Sequence, residues 1–323
     1  MTLLSVKDLK VEFQTENGRV TAVDGVNLSL DRGEVLGVIG ESGSGKSVTL
    51  RALLRILPEP KASVSGELRL DGQDILALQG SALSDYRGGD VSMIFQEPAT
   101  ALDPVYTIGR QIAEGVMRHQ QATRAAAFAR ALEMLELVKI PSAKSRLSNY
   151  PHEMSGGMRQ RAMIALALAS SPRLLLADEP TTALDATVQI QVILLLRELQ
   201  REMGMATIFV THDVGVAAEI SDKIAVMYAG RIVETGTAAE VLKSPKHPYT
   251  QGLLSSTVQG ARPGSPINAI PGMPPDLARL PLGCAFAPRC PHHSHECDAA
   301  KPPLVGNHGN RQVACVRLAE CRT

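Results

Sequence analysis

The sequence predicts an α/β fold built on a mainly parallel sheet, with a helical insertion and a small irregular tail. Three observations carry this. A short apolar run, Val35–Ile39 (VLGVI), leads through a glycine-rich loop into a helix over Ser47–Ile56, which Pro58 ends. Two further strand-then-loop segments, LLLADEP and ATIFVTHD, are separated by an Ala/Leu/Gln-rich helix from Asp185 to about Met203. Strands alternating with helices argue for parallel pairing. After about Leu242 the periodic segments stop, and Pro and Gly become frequent between Pro245 and Pro303.

The remaining elements fit around this frame. Residues 3–13 alternate as a strand does, and Gly66–Leu70 and Val91–Phe95 read as further strands. From Ile108 to about Val138 the period becomes helical (AAAFARALEMLELV). The expected organisation is one large domain over residues 1–240, holding a helical subdomain at about 97–160. An extension follows over 241–323.

Composition limits the function classes. With 44% apolar and 20% charged residues in 323, the chain can bury a core. Lys plus Arg and Asp plus Glu both total 33, so no net field attracts nucleic acid. Aromatics are 3% and Trp is absent, which argues against stacking platforms for single strands. The start, MTLLSVKDLKVEFQ, lacks a basic stretch followed by an apolar one, so no signal peptide is expected. No run approaches the ~18 apolar residues of a membrane span. The expectation is a soluble or peripheral protein.

Gly40-Glu41-Ser42-Gly43-Ser44-Gly45-Lys46-Ser47 fits G-x-x-x-x-G-K-S and lies between strand and helix. Such a loop turns backbone N–H groups onto phosphate oxygens, with the helix N-terminus adding positive potential. Lys46 is expected to reach the β and γ phosphates, and the Ser47 hydroxyl to ligate Mg²⁺. A plain Gly/Ser turn is the bland alternative, disfavoured by the spacing and context. Asp178 and Glu179 close the apolar strand Leu174–Ala177, on the ligand-binding edge of such a sheet. Asp178 suits Mg²⁺ held through water, and Glu179 suits the orientation or deprotonation of an attacking water. Alone, such a pair is more often a solvated cap.

Met154-Ser155-Gly156-Gly157-Met158-Arg159-Gln160-Arg161, ahead of the Asp-Glu strand, resembles the signature motif of ABC ATPases. Met154 and Met158 depart from the usual LSGGQ, while the Ser-Gly-Gly core is intact. The resemblance extends in order across residues 3–240. Gln96 in Ile94–Pro98 matches the glutamine that approaches Mg²⁺ and water. Ala183-Leu184-Asp185 resembles the D-loop, and His212 in Val210–Asp213 the histidine that contacts the γ-phosphate. Phe13, near the end of the first strand, matches the aromatic that packs on adenine; a core Phe is the equal alternative.

The resemblance implies an ABC-type P-loop ATPase fold with an antiparallel β subdomain and an α-helical subdomain. It implies ATP and Mg²⁺ as ligands. The loop would contribute Gly40, Ser42, Gly43, Ser44, Gly45, Lys46, Ser47 and Val48, with Ser47, Gln96 and Asp178 toward the metal. Ser155, Gly156, Gly157 and Asp185 would serve a nucleotide held by a second subunit. Glu179, His212 and Gln96 would be catalytic.

Gln96-Glu97-Pro98, Leu102-Asp103-Pro104, Tyr150-Pro151-His152-Glu153 and Lys246–Thr250 followed by Leu253-Leu254 narrow the resemblance to dipeptide/oligopeptide importer ATPases of the DppD/OppD type. That group also includes nickel and glutathione importers. It implies a peripheral protein at the cytoplasmic face of the inner membrane. Its partners would be a second, non-identical ATPase subunit, two permeases docking near 97–150, and an extracytoplasmic binding protein. A soluble ABC ATPase of ribosomes or DNA repair usually has two fused units or a long coiled coil. An inert binding subunit would be expected to lack Glu179 or His212.

All five cysteines fall in the tail. Cys284-x5-Cys290-x6-Cys297-x17-Cys315 can surround one centre in a segment with little apolar core of its own, leaving Cys321 spare. Zinc and an iron–sulfur cluster both accept four thiolates, though structural zinc usually shows closer pairs. His292, His293 and His295 could substitute at zinc, and free thiols or a disulfide are a further alternative. The importer resemblance implies a [4Fe–4S] cluster.

Overall fold

The computed structural model describes residues 1–16, 18–97, 101–181, 185–256, 269–306 and 311–318. In chain order the first elements are β1 (Thr2–Thr15), β2 (Gly18–Asp31), β3 (Val35–Ile39), α1 (Lys46–Leu53), β4 (Ala62–Leu70), β5 (Gln73–Asp74) and α2 (Gly80–Tyr86). Next come β6 (Val91–Ile94), α3 (Ile108–Gln120), α4 (Arg124–Leu137), α5 (Ala143–Arg146), α6 (Gly156–Leu168), β7 (Leu174–Asp178), α7 (Ala186–Met203) and β8 (Ala206–Thr211). The remainder is α8 (Val214–Ile220), β9 (Lys223–Tyr228), β10 (Arg231–Thr237), α9 (Ala238–Lys243), α10 (Pro248–Ser255), α11 (Glu296–Ala299), β11 (Val305–Gly306) and β12 (Gln312–Val313). Among the described residues no helix is long and apolar enough to cross a membrane. The chain forms two compact units, one made mainly of Ala77–Ile208 and the other of Thr2–Leu30, Val35–Leu76 and Phe209–Thr323.

In the first unit β6 and β7 pair in parallel, Val91 opposite Leu174 and Ile94 opposite Ala177. Both strands are buried at every residue, which is why each is mostly apolar, with Ser92 and Asp178 as the buried polar exceptions. The helical stretch expected over 108–138 is two helices. Gln121 adopts φ 52 and ends α3, and the Thr123 hydroxyl accepts the Ala126 N–H to open α4. The buried faces of α3, α4 and α6 include Ile112, Val116, Ala127, Ala131 and Ala165. Their alanines let the helices approach closely.

In the second unit, one sheet has the order β2-β1-β4-β5, with Leu4 opposite Leu70 and Phe13 opposite Ala62 in the antiparallel β1–β4 pair. In another, β11-β12-β10-β9-β3 lie side by side. β3 and β9 are parallel, Ile39 facing Val226, whereas β9 and β10 are antiparallel. The tail is thus more ordered than its composition suggests, since β12 continues the sheet from β10. The core against this sheet includes Val214, Ala217, Tyr228, Val241, Tyr249 and Phe286.

Two buried polar groups organise that core. His247 Nδ1 accepts the Tyr249 N–H at 3.0 Å, capping α10 with Pro248 at its first position. Burial pushes the His247 pKa down to about 4, so the ring is neutral at neutral pH and free to accept. Glu234 on β10 is wholly buried and ion-paired with Arg311. Its carboxylate also accepts the N–H groups of Lys246 at 3.0 Å and His247 at 2.9 Å.

Candidate nucleotide site

The residues singled out from sequence form two constellations, one within each unit. In the second unit, β3 ends at the glycine-rich loop, and α1 begins at Lys46 directly after it. Gly40, Gly43 and Gly45 have φ of 154, 78 and 102°, which side chains rarely tolerate. Space also excludes them at two positions. A Cβ on Gly40 would meet the Met227 carbonyl at 2.2 Å, and one on Gly45 the Ala22 carbonyl at 2.6 Å. Lys46 is only 5% exposed, and its Nζ donates to Gly40 O at 2.7 Å, Glu41 O at 2.8 Å and Ser44 Oγ at 3.3 Å. Those three acceptors are neutral and hold the ammonium beneath the loop. Ser42 and Gly43 are exposed, and Ser47 and Val48 are half-buried on the first turn of α1. A cradle of this shape, with a buried cation beneath it, fits a polyphosphate.

His212 is exposed just beyond β8, and the neighbouring Asp213 accepts the N–H groups of Gly215 and Val216 to cap α8. Phe13 is half-buried near the end of β1.

The first unit holds the carboxylates. Asp178 is 1% exposed at the end of β7, and Glu179 follows with φ 46. A left-handed φ at a non-glycine residue is a strained conformation, of the kind retained where a side chain must point one way. Gln96, exposed beyond β6, donates from Nε2 to Glu179 Oε2 at 3.4 Å. Two residues distant in sequence but lying after adjacent parallel strands therefore meet. Gln160, buried on α6, donates to the Pro180 carbonyl and fixes the backbone just beyond Glu179.

Ser155 is the N-cap of α6, its hydroxyl accepting the Met158 N–H at 3.3 Å. Ser155 and Gly156 are exposed while Met154 is 4% exposed, so the helix N-terminus faces solvent from a buried footing. Met154 fills the apolar role that Leu has in the usual motif. Asp185 caps α7 by accepting from Thr187 and Val188; Ala183 and Leu184 lie outside the described residues.

The tail cysteines converge. Cys284, Cys290, Cys297 and Cys315 line one apolar pocket and are free thiols. Cys321 lies outside the described residues. Burial pushes Cys290 up to about 11, and the neighbouring thiols of Cys284, Cys297 and Cys315 add to the rise. Burial likewise raises Cys284. Among the described residues, no group of three or more His, Cys, Asp or Glu is gathered tightly enough for a single metal ion. His293 instead hydrogen-bonds Asp298 at 3.0 Å.

Sequence reasoning missed Glu41 as a structural residue, and Arg289 and Tyr249 as its partners. Arg289 lies between Cys284 and Cys290, where the thiols dominate the pattern, and Tyr249 lies in the Lys246–Thr250 stretch that carries the importer resemblance. An acidic side chain inside a phosphate loop was the available signal.

Comparison with known proteins agrees with this arrangement. The ABC transporter family matches residues 23–182, and the oligopeptide/dipeptide transporter C-terminal region matches residues 233–297. The oligopeptide transport ATP-binding protein OppD of Escherichia coli (strain K12) is 49% identical over 98% of this chain and 94% of its own length. OppD of Bacillus subtilis (strain 168) is 48% identical over 94% and 85%. The dimeric ATP-binding cassette MJ0796 bound to ADP and Pi superposes with a TM-score of 0.65 at 27% identity, covering 73% of this chain and 99% of that one. The likeness to OppD runs through both the loop-bearing region and the tail, and on it the chain belongs to the ATP-binding proteins of the ABC oligopeptide/dipeptide transporters.

Proposed function

We propose that this chain binds and hydrolyses Mg-ATP to power an ABC importer of short peptides, as the peripheral subunit on the cytoplasmic face of the inner membrane. The observation that carries the reading is the near full-length likeness to OppD, which includes the tail as well as the phosphate loop. Residues 1–240 would be the ATPase domain, with a helical subdomain at about 97–160 and the permeases docking near Gln96 and about 97–150, and 241–323 the importer-type extension.

In this reading the N–H groups of Ser42–Val48 and the Lys46 ammonium bind the β and γ phosphates. Ser47, Gln96 and Asp178 are the residues that would hold Mg²⁺, which neutralises phosphate charge when bound. Glu179 orients and deprotonates the attacking water, Gln96 steadies Glu179, and His212 contacts the γ-phosphate. Phe13 packs on adenine. Ser155, Gly156, Gly157 and Asp185 serve the nucleotide of a second, non-identical ATPase subunit; the dimeric MJ0796 cassette supports the pairing of two such subunits, not their difference. Two permeases and a solute-binding protein complete the importer.

Co-expression with the second ATPase subunit and two permease subunits should yield a complex that, with the solute-binding protein supplied, takes labelled oligopeptides into proteoliposomes only with Mg-ATP. Recovery solely with ribosomes would sink this reading.

The four thiols around one pocket support a [4Fe–4S] cluster as a structural staple of the tail. Zinc held by the same four thiols is the second reading. Bound iron would hold Cys284, Cys290, Cys297 and Cys315 as thiolates, against the rise that burial imposes on Cys284 and Cys290. Anaerobically purified protein should be brown, with about four irons per chain on this stoichiometry. A colourless preparation without iron would overturn the cluster.

A further inference from the structure

The geometry points to Arg289 as a positioning residue for the phosphate loop, through which the cysteine segment sets nucleotide affinity. This rests on the reading of Gly40–Ser47 as the nucleotide loop.

Glu41 is an awkward residue for a phosphate cradle, because its carboxylate repels the anion that the loop is shaped to bind. The structure handles each of its polar groups. The carboxylate takes two bonds from the Arg289 guanidinium, Nη1 to Oε2 at 2.7 Å and Nη2 to Oε1 at 3.0 Å. The Glu41 N–H donates to Tyr249 Oη at 2.8 Å, and its carbonyl accepts from Lys46 Nζ at 2.8 Å. Two of these three anchors come from beyond residue 240. A bidentate Arg–carboxylate pair fixes direction as well as charge.

Arg289 is held on its own side. Its side chain is 5% exposed, Nε donates to Pro271 O at 2.9 Å, and Nη1 reaches Tyr228 Oη at 3.3 Å. It ends the 3-10 turn Ala287–Arg289, immediately before Cys290. Upstream, the Cys284 N–H donates to Cys297 O at 2.8 Å, and the Ala287 N–H to Cys284 O at 3.0 Å. A Cβ on Gly283 would stand 2.1 Å from Cys297 O, so the two cysteine segments touch backbone to backbone. The fold of the cysteine segment therefore fixes where the guanidinium points. Tyr249 is fixed in the same way, its ring packed on Tyr228 at 4.5 Å and on Phe286 at 5.4 Å. Any change that loosens the thiol pocket is transmitted to Glu41 by a chain of direct contacts.

The test is Mg-ATP affinity of the full chain, read by displacement of a fluorescent nucleotide. Arg289→Met should raise Kd about ten-fold, the middle of the range for coupled neighbours. Arg289→Lys, which restores the charge but not the two-point geometry, should recover only part of the loss. Adding Glu41→Gln to Arg289→Met should also restore affinity, because the unpaired carboxylate is then gone; a merely structural role for Arg289 predicts no such rescue. A folded Arg289→Met protein with unchanged Kd, or a loss that Glu41→Gln does not repair, overturns the inference. If Arg289→Met does not fold, Tyr249→Phe decides, since it keeps the ring and removes the acceptor of the Glu41 N–H. A raised Kd supports the inference and an unchanged one overturns it. Lys46→Ala separates the two levels. If it leaves affinity intact, the nucleotide-loop reading itself has failed; if it abolishes binding while the Arg289 and Tyr249 variants bind normally, only this inference has.

Discussion

Glu179→Gln is expected to lower ATP turnover by roughly 10²–10⁴-fold, the range for losing a positioned general base, while Mg-ATP affinity changes little. The substitution is nearly isosteric. The Gln oxygen can still accept from Gln96 Nε2, which now bonds Glu179 Oε2 at 3.4 Å, so the geometry survives. What disappears is the ability to take a proton from water. On this reading the loss corresponds to about 3–5 kcal/mol of transition-state stabilisation. The backbone adds a second argument. Glu179 holds φ 46, a strained state that costs on the order of 1–3 kcal/mol unless its surroundings enforce it. Buried Asp178 before it and the bond from Gln160 to Pro180 O after it supply that enforcement. Because binding persists while release by hydrolysis does not, the variant should also accumulate as an ATP-bound dimer with its partner subunit, visible by size-exclusion chromatography. Turnover within two-fold of the native protein would refute the role of Glu179.

The parts of this site that could be read from sequence are those whose chemistry is local. The loop motif spans eight consecutive residues, and the runs Val35–Ile39 and Leu174–Ala177 are apolar because both faces of their strands are covered. Ser155 and Asp185 as helix caps follow from residue type at a helix start. The failures have physical causes too. β2 was not expected because Asp24, Gly25 and Asn27 interrupt its alternation; Gly25 takes φ 72 there, and Asp24 pairs with Arg231 and Lys301. The break between α3 and α4 rests on one left-handed residue, Gln121, that no apolar period reveals. Partners far apart were invisible for a simpler reason. Glu41 and Arg289 stand 248 positions apart and Glu234 and Arg311 stand 77 apart, and periodicity carries no information over such distances.

Glu234→Ala is expected to destabilise the protein by about 3–5 kcal/mol, the usual penalty for removing one member of a buried ion pair. Glu234 is 0% exposed and Arg311 is 7% exposed, so neither charge can turn to water for compensation. The loss is compound. Arg311 keeps its cation in the interior, and the N–H groups of Lys246 and His247 lose an acceptor at 3.0 and 2.9 Å. These orphaned donors, costing about 1–3 kcal/mol each where water cannot reach them, are part of that total rather than an addition to it. Because β12 pairs with β10 at Glu234–Val313, and the start of α10 hangs from the same carboxylate, the damage should concentrate in the tail. Hydrogen exchange should therefore rise first over residues 244–256 and 311–318. Urea unfolding followed by circular dichroism gives the magnitude, and a change below about 1 kcal/mol, the range of surface pairs, would contradict the assignment. The double variant Glu234→Met with Arg311→Met makes the argument sharper. Removing both charges together eliminates the uncompensated cation, so it should be markedly more stable than Glu234→Ala, although the two N–H groups remain unsatisfied. If the double variant were as unstable as the single one, the backbone bonds to Lys246 and His247, rather than the ion pair, would be what Glu234 contributes.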